Sequence, residues 1–294
     1  IEIYGFSNLK GKSFGIFAHL GEISVILSPF ILIIYLQNKK GYHYLLSIIL
    51  VFINLFLFGG KYGIFIALVH VIVFYSICYN ISIRKTFIFG ILTVLIGLIV
   101  FILVYAVKPF LFQGNFSTSS FIDSINFAVK HFLYYLLSPL IATNYYFSNG
   151  TNLVEGIQIM FTVPINIIKA IFQTGGYIDP INYNFVKVSS DLRTNVGGLF
   201  SESVFRSNLV IASIYVGIFF CIVYFFYIKT RYQGEFLSIT SLLLAIVSLL
   251  FFTNFLTVSG VVLPLIFLAI FEFILKRDFS FEKYYRNIKR WFQN

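Results

Sequence analysis

The stretch LVIASIYVGIFFCIVYFFYI, residues 209–228, runs for twenty residues without a charged side chain. As a helix it would rise about 30 Å, the thickness of a bilayer's hydrocarbon core. It therefore predicts a membrane-crossing helix and places the chain among integral membrane proteins. Composition agrees: of 294 residues 59% are apolar and 11% charged, with 38 Phe and 20 Tyr, and the mean hydropathy is +0.91. A soluble domain runs near 45–50% apolar and about 25% charged. Too few polar side chains remain to cover a water-facing surface, which excludes an ordinary soluble globular domain. Cys78 and Cys221 lie inside apolar runs, where a thiol serves as a small hydrophobe, so neither a disulfide framework nor a metal site is expected.

Outward from this segment, apolar runs long enough to cross a bilayer recur at about 17–36, 44–60, 62–79, 87–107, 208–228, 236–253 and 260–275. The expected fold is all-α, a polytopic bundle of seven spans. Residues 1–107 form the N-terminal spans, 108–207 one large loop region, 208–275 the C-terminal spans and 276–294 a basic tail. The net charge is +10, which in a polytopic protein points to inner-leaflet loops before nucleic acid. Lys39, Lys40, Arg84, Lys85, Lys229 and Arg231, with Lys276, Arg277, Lys283, Arg286, Lys289 and Arg290 of the tail, all fall on one side of this topology. By the positive-inside rule that side is cytoplasmic, and 108–207 faces outward; Lys10 and Lys12 weigh weakly against it.

Within the outward region, 127–147 and 157–173 are apolar enough to enter the membrane, and read as interfacial or re-entrant helices. If both span, the total becomes nine and no other loop changes side. Pro164 would kink the second, having no N–H to donate and a ring that clashes with the preceding turn. Residues 174–207 read as loop with short helical pieces. Phe279 to Phe292 reads as an amphipathic helix on the inner leaflet. The chain starts at Ile1 with no signal-peptide cleavage site, so it reads as starting inside a longer reading frame.

Ionisable groups at a membrane mouth are costly and so are candidates for function. His19 and Glu22 share one helix face at the outward end of the first span, where headgroup contact would also explain them. Lys61, in Gly59-Gly60-Lys61-Tyr62-Gly63, lies at an outward turn whose glycines would let a phosphate approach the backbone. His70 falls near mid-bilayer, while Lys130, His131 and Lys169 sit in the apolar pieces of the loop region. The densest constellation runs from Asp191 through Arg193, Asn195, Gly197-Gly198 and Glu202 to Arg206 and Asn208, immediately before the fifth span. Arginine suits diphosphate because its planar fork bonds two oxygens at once, and a carboxylate beside it could deprotonate a sugar hydroxyl. A solvated linker is the bland alternative.

On these residues the chain resembles bacterial O-antigen and capsule repeat-unit polymerases, the Wzy-type family related to the O-antigen ligases. The resemblance covers about 15–275 and rests on aromatic-rich spans, the Gly-Gly-Lys-Tyr-Gly turn, one large outward loop, and Thr194-Asn195 followed by Gly197-Gly198 and Glu202. It implies a GT-C-like glycosyltransferase of the bacterial cytoplasmic membrane, needing no metal or cofactor, that polymerises undecaprenyl-diphosphate-linked repeats of capsule or lipopolysaccharide. Lys61, Arg193 and Arg206 would contact the diphosphate; Glu202 or Asp191, or His131 from further upstream, would be the base; His19, Glu22, Asn195 and His131 would be mouth contacts. Partners would be the lipid-linked glycan and membrane lipids, with room for a chain-length regulator and none for nucleic acid. The chain is shorter than such polymerases usually are, and missing N-terminal spans would explain it. A lipid-linked oligosaccharide flippase, a membrane acyltransferase using His70 and a structural subunit are the rival readings.

Overall fold

A computed structural model describes residues 23–28, 61–78, 118–150, 152–178, 186–187, 193–194, 197–251 and 253–275, with scattered positions between 31 and 54 and between 81 and 102. The described residues are helical apart from loops and one short antiparallel ribbon, so the class is all-α. The tail 276–294 and most of the first two predicted spans lie outside the described residues. Two compact units divide the chain, residues 1–72 with 81–134 and residues 73–80 with 135–294.

The first unit holds most of α1, Lys61–Cys78, and the first half of α2, Thr118–Ser148. Its packing is apolar: Val25, Ile64 and Ala67 form one cluster, while Ala128 and Phe132 meet Phe65, Leu98 and Ile102 in another. Gly63 leaves room for Val25, whose Cγ1 a Cβ there would meet at 3.1 Å. Asn54 cross-links its neighbour, accepting from Ser24 Oγ and donating to Ser28 Oγ, both at 3.1 Å. His70 is fully buried on α1.

The second unit supplies the site. After α2 come α3, Leu153–Met160, and α4, Thr162–Phe172, which meet at an 81° bend at Phe161. Pro164 accounts for the break: its ring would strike the carbonyl four residues back, at Met160, if one helix ran through. Pro164 sits instead in the first turn of α4, where a missing N–H costs nothing. A ribbon of β1, Val186–Lys187, and β2, Arg193–Thr194, precedes the short α5, Leu199–Arg206. Then comes α6, Leu209–Gln233, capped by Asn208, which accepts from Ile211 N–H at 2.9 Å, and closed by Gly234 at φ 70°. Among the described residues α6 is the one helix long and apolar enough to cross a membrane; the bent α2 and the α3–α4 pair would raise the number to three if each counted as one span. Finally α7, Leu237–Leu249, and α8, Ser259–Leu275, flank a 3-10 turn at Phe255–Thr257. Both are apolar; α7 is shorter than the predicted span 236–253, while α8 covers the predicted span 260–275. Polar groups are buried where α6 turns into α7: Thr230 Oγ1 donates to the Glu235 carbonyl at 2.7 Å and lies 2.6 Å from Thr240 Oγ1.

Candidate functional site

The site grows from a place where no side chain fits. Gly198 takes φ +78°, which favours glycine, and a Cβ there would stand 2.8 Å from the Phe251 carbonyl oxygen. A Cβ on Gly197 would run into the Tyr146 ring. With both positions bare, Leu199 N–H reaches the Leu250 carbonyl at 2.8 Å and fastens the start of α5 to the end of α7. Ser201 Oγ donates to the Gly197 carbonyl.

Glu202 sits in the first turn of α5, where the helix dipole favours negative charge. Its Oε1 accepts from Gly197 N–H at 3.0 Å and from the Thr253 hydroxyl at 2.9 Å, and its Oε2 accepts from Asn254 N–H at 3.2 Å. Burial pushes this carboxyl above its usual range; the three donors and the Arg206 charge pull down without cancelling the effect. Asn254 Oδ1 in turn caps the 3-10 turn through Leu256 N–H at 3.2 Å. One carboxylate thus joins α5 to the turn before α8.

Arg206 lies one turn beyond Glu202 and is 7% exposed. Burial lowers the affinity of its guanidinium for the proton, and Glu202, Tyr146 and Glu155 oppose this. The guanidinium stands 5.8 Å from the Phe205 ring centre. Glu155 comes from the first turn of α3, which packs on α5, and is exposed. Asn152 holds that turn by accepting from Val154 N–H at 3.0 Å. Two carboxylates therefore favour the charge on Arg206, one locked in hydrogen bonds and one open to solvent.

The ribbon joins this arrangement through Val186, which packs with Ala142, Tyr146 and Phe205; the Tyr146 and Phe205 ring centres are 4.9 Å apart. Its register sets Lys187 opposite Arg193. Arg206, Arg193 and Lys187 thus belong to one neighbourhood of the second unit.

Residues 6–281 match a family of unknown function (DUF6337). The chain belongs to that family. No curated protein matches the chain. No solved structure matches it either. For this member of DUF6337, the sequence-predicted residues fall into three groups. Glu202 and Arg206 share α5, with Arg193 close by on β2, described in its backbone. Lys61 opens α1 and His131 lies in α2, both in the first unit and described in backbone. His19, Glu22, Asp191 and Asn195 lie outside the described residues. Sequence reasoning missed Thr253, Asn254, Glu155 and Lys187. The polar Thr253-Asn254 pair between two apolar runs was the one available signal for the first two.

Proposed function

We propose that the chain is a multi-pass glycosyltransferase of the Wzy type, with seven to nine spans in a bacterial cytoplasmic membrane, that polymerises undecaprenyl-diphosphate-linked glycan repeats at the outer face. The observation that carries this reading is Val186 packed onto Tyr146 and Phe205, because it sets a ribbon bearing Lys187 and Arg193 beside the helix bearing Arg206. Three cations at the head of a long apolar helix suit a diphosphate whose polyprenyl tail stays in lipid. Arginine would grip two oxygens at a time and keep its charge.

In the reaction an acceptor sugar hydroxyl attacks the anomeric carbon of the glycan on its lipid carrier. The carbon–oxygen bond to the diphosphate breaks, the undecaprenyl diphosphate departs, and the hydroxyl proton passes to a carboxylate. Glu202 has its oxygens occupied by three donors and is a positioning residue for Arg206. Glu155, exposed and acting electrostatically on Arg206, is the better base. The cations stabilise charge growing on the leaving group.

The test is reconstitution of the whole chain in liposomes with lipid-linked repeats. Elongated, lipid-linked polymer is the expected product; release of acylated glycan, or movement of substrate without bond formation, would replace this reading by one of its rivals. Glu155→Gln should cut turnover at least about 100-fold with little effect on substrate retention, and unaltered turnover would remove Glu155 from the mechanism.

A further inference from the structure

Away from this site, two open grooves lie along α6. One, of about 550 Å³, is lined by Phe225, Phe226 and Lys229 of α6, Glu235 and Phe236 of the following turn, and Ile270 and Phe273 of α8. The other, of about 380 Å³, is lined by Ile218, Cys221 and Ile222 together with the same Phe225 and Phe226. Shared walls make them one track. From Lys229 to Ile218 it follows α6 for about 16 Å at 1.5 Å per residue. Its sides are apolar, with Phe226 set edge-on to both Phe225 and Phe236 at 5.4 Å. Polar character is confined to the end where the span leaves the apolar stretch, and there it has both signs, Lys229 and Glu235.

We propose that this track holds one phospholipid whose headgroup carries a phosphate and a primary ammonium, as phosphatidylethanolamine does. An acyl chain lies against the rings of α6 and α8, the phosphate meets Lys229, and the ammonium meets Glu235. Lys229 Nζ gives one hydrogen to Gln233 Oε1 at 3.0 Å, which leaves two for phosphate oxygens. The headgroup selection follows from hydrogen-bond chemistry. A primary ammonium has three N–H donors for a carboxylate; a trimethylammonium has none; a glycerol headgroup leaves the lipid anionic, and Glu235 repels it. The proposal needs α6 in a membrane and is independent of polymerisation, so the two can fail separately.

The experiment uses the purified full chain in detergent, offered dioleoyl phosphatidylethanolamine, phosphatidylcholine and phosphatidylglycerol in turn. Native mass spectrometry should show the ethanolamine lipid retained about tenfold over the other two, and that lipid alone should raise the melting temperature by a few degrees. Glu235→Gln should bring retention of the ethanolamine and glycerol lipids to within about twofold, Lys229→Ala should weaken both, and Ile270→Trp, which fills the track, should weaken all three. Alkylation of Cys221, which lines the track, should slow when the ethanolamine lipid is present; this arm needs no substitution in the track. Equal retention of all three lipids by the unaltered chain, a preference for the glycerol lipid, an unchanged preference in Glu235→Gln, unchanged alkylation, or a dimer in place of a lipid adduct would each overturn the proposal.

Discussion

Two glutamates of the second unit lie at opposite ends of α7, and they serve that helix in different ways. Glu272, on α8, accepts from Ser238 N–H at 2.7 Å and so caps the start of α7, whose own N-cap residue, Phe236, has no side chain able to do it. Its Oε2 is buried with no hydrogen-bond partner among the described residues. Glu202, beyond the other end, has three donors and a buried arginine one turn away. The first is a cap supplied from a neighbouring helix. The second joins α5 to the turn before α8 and lies near a buried cation, which a cap alone does not require. The lesson is that burial of a carboxylate says little by itself; the charged companion distinguishes a site from a brace.

The contrast can be broken most forcefully at Glu202. Replacement by Ala strands three donors and a buried guanidinium, and should cost about 3–5 kcal/mol in detergent unfolding; a loss no larger than that of Glu272→Ala, about 1 kcal/mol, would erase the difference between the two. Next comes Arg206→Ala, expected to lower polymer formation at least about 100-fold, some 2.7 kcal/mol of barrier, in protein that still folds. Arg206→Lys should recover only part of that, since the fork is lost. Wild-type polymer from Arg206→Ala would reduce α5 to a brace as well. Gly198→Ala should cost about 1–3 kcal/mol through its backbone angle and the Phe251 carbonyl, whereas Gly217→Ala, with nothing near a Cβ, should cost nothing.

A smaller effect is the pH response. Below the ordinary carboxylate range both folded and unfolded chains hold the Glu202 proton. As pH rises the unfolded chain loses it first, so stability should fall through the raised folded value. Melting curves from pH 4 upward would show the decline, and Glu202→Gln should flatten it; an identical slope in the variant would place the titrating group elsewhere. The smallest effect is expected for Glu272→Gln, which keeps an acceptor for Ser238 N–H and should stay within about 0.5 kcal/mol of wild type.

Much of this was legible in the chain. The uninterrupted apolar run at 209–228, bounded by Asn208 and Gly234, announced α6 because its length and caps are local properties. Pro164 announced a break for the same reason, although the bend falls at Phe161, one step after the carbonyl that the ring would strike. The crowding of charge between Asp191 and Arg206 drew attention to the stretch that folds into β2 and α5. What pairs within it was hidden: Thr253 and Asn254 reach Glu202 from 51 and 52 residues away, and such contacts leave no period in the sequence. Glu155 stood alone in its stretch as an ordinary first-turn acid, and Lys187 gained meaning only when the ribbon's register set it opposite Arg193.

Gly198 has a consequence for how this chain can diverge. Its missing side chain and the path of the main chain at Phe251 are two halves of a single fitted joint, so neither can drift without the other. Relatives that carry a bulkier residue there should also show an insertion or deletion just after α7, and that paired change would be a hallmark by which to sort the lineage.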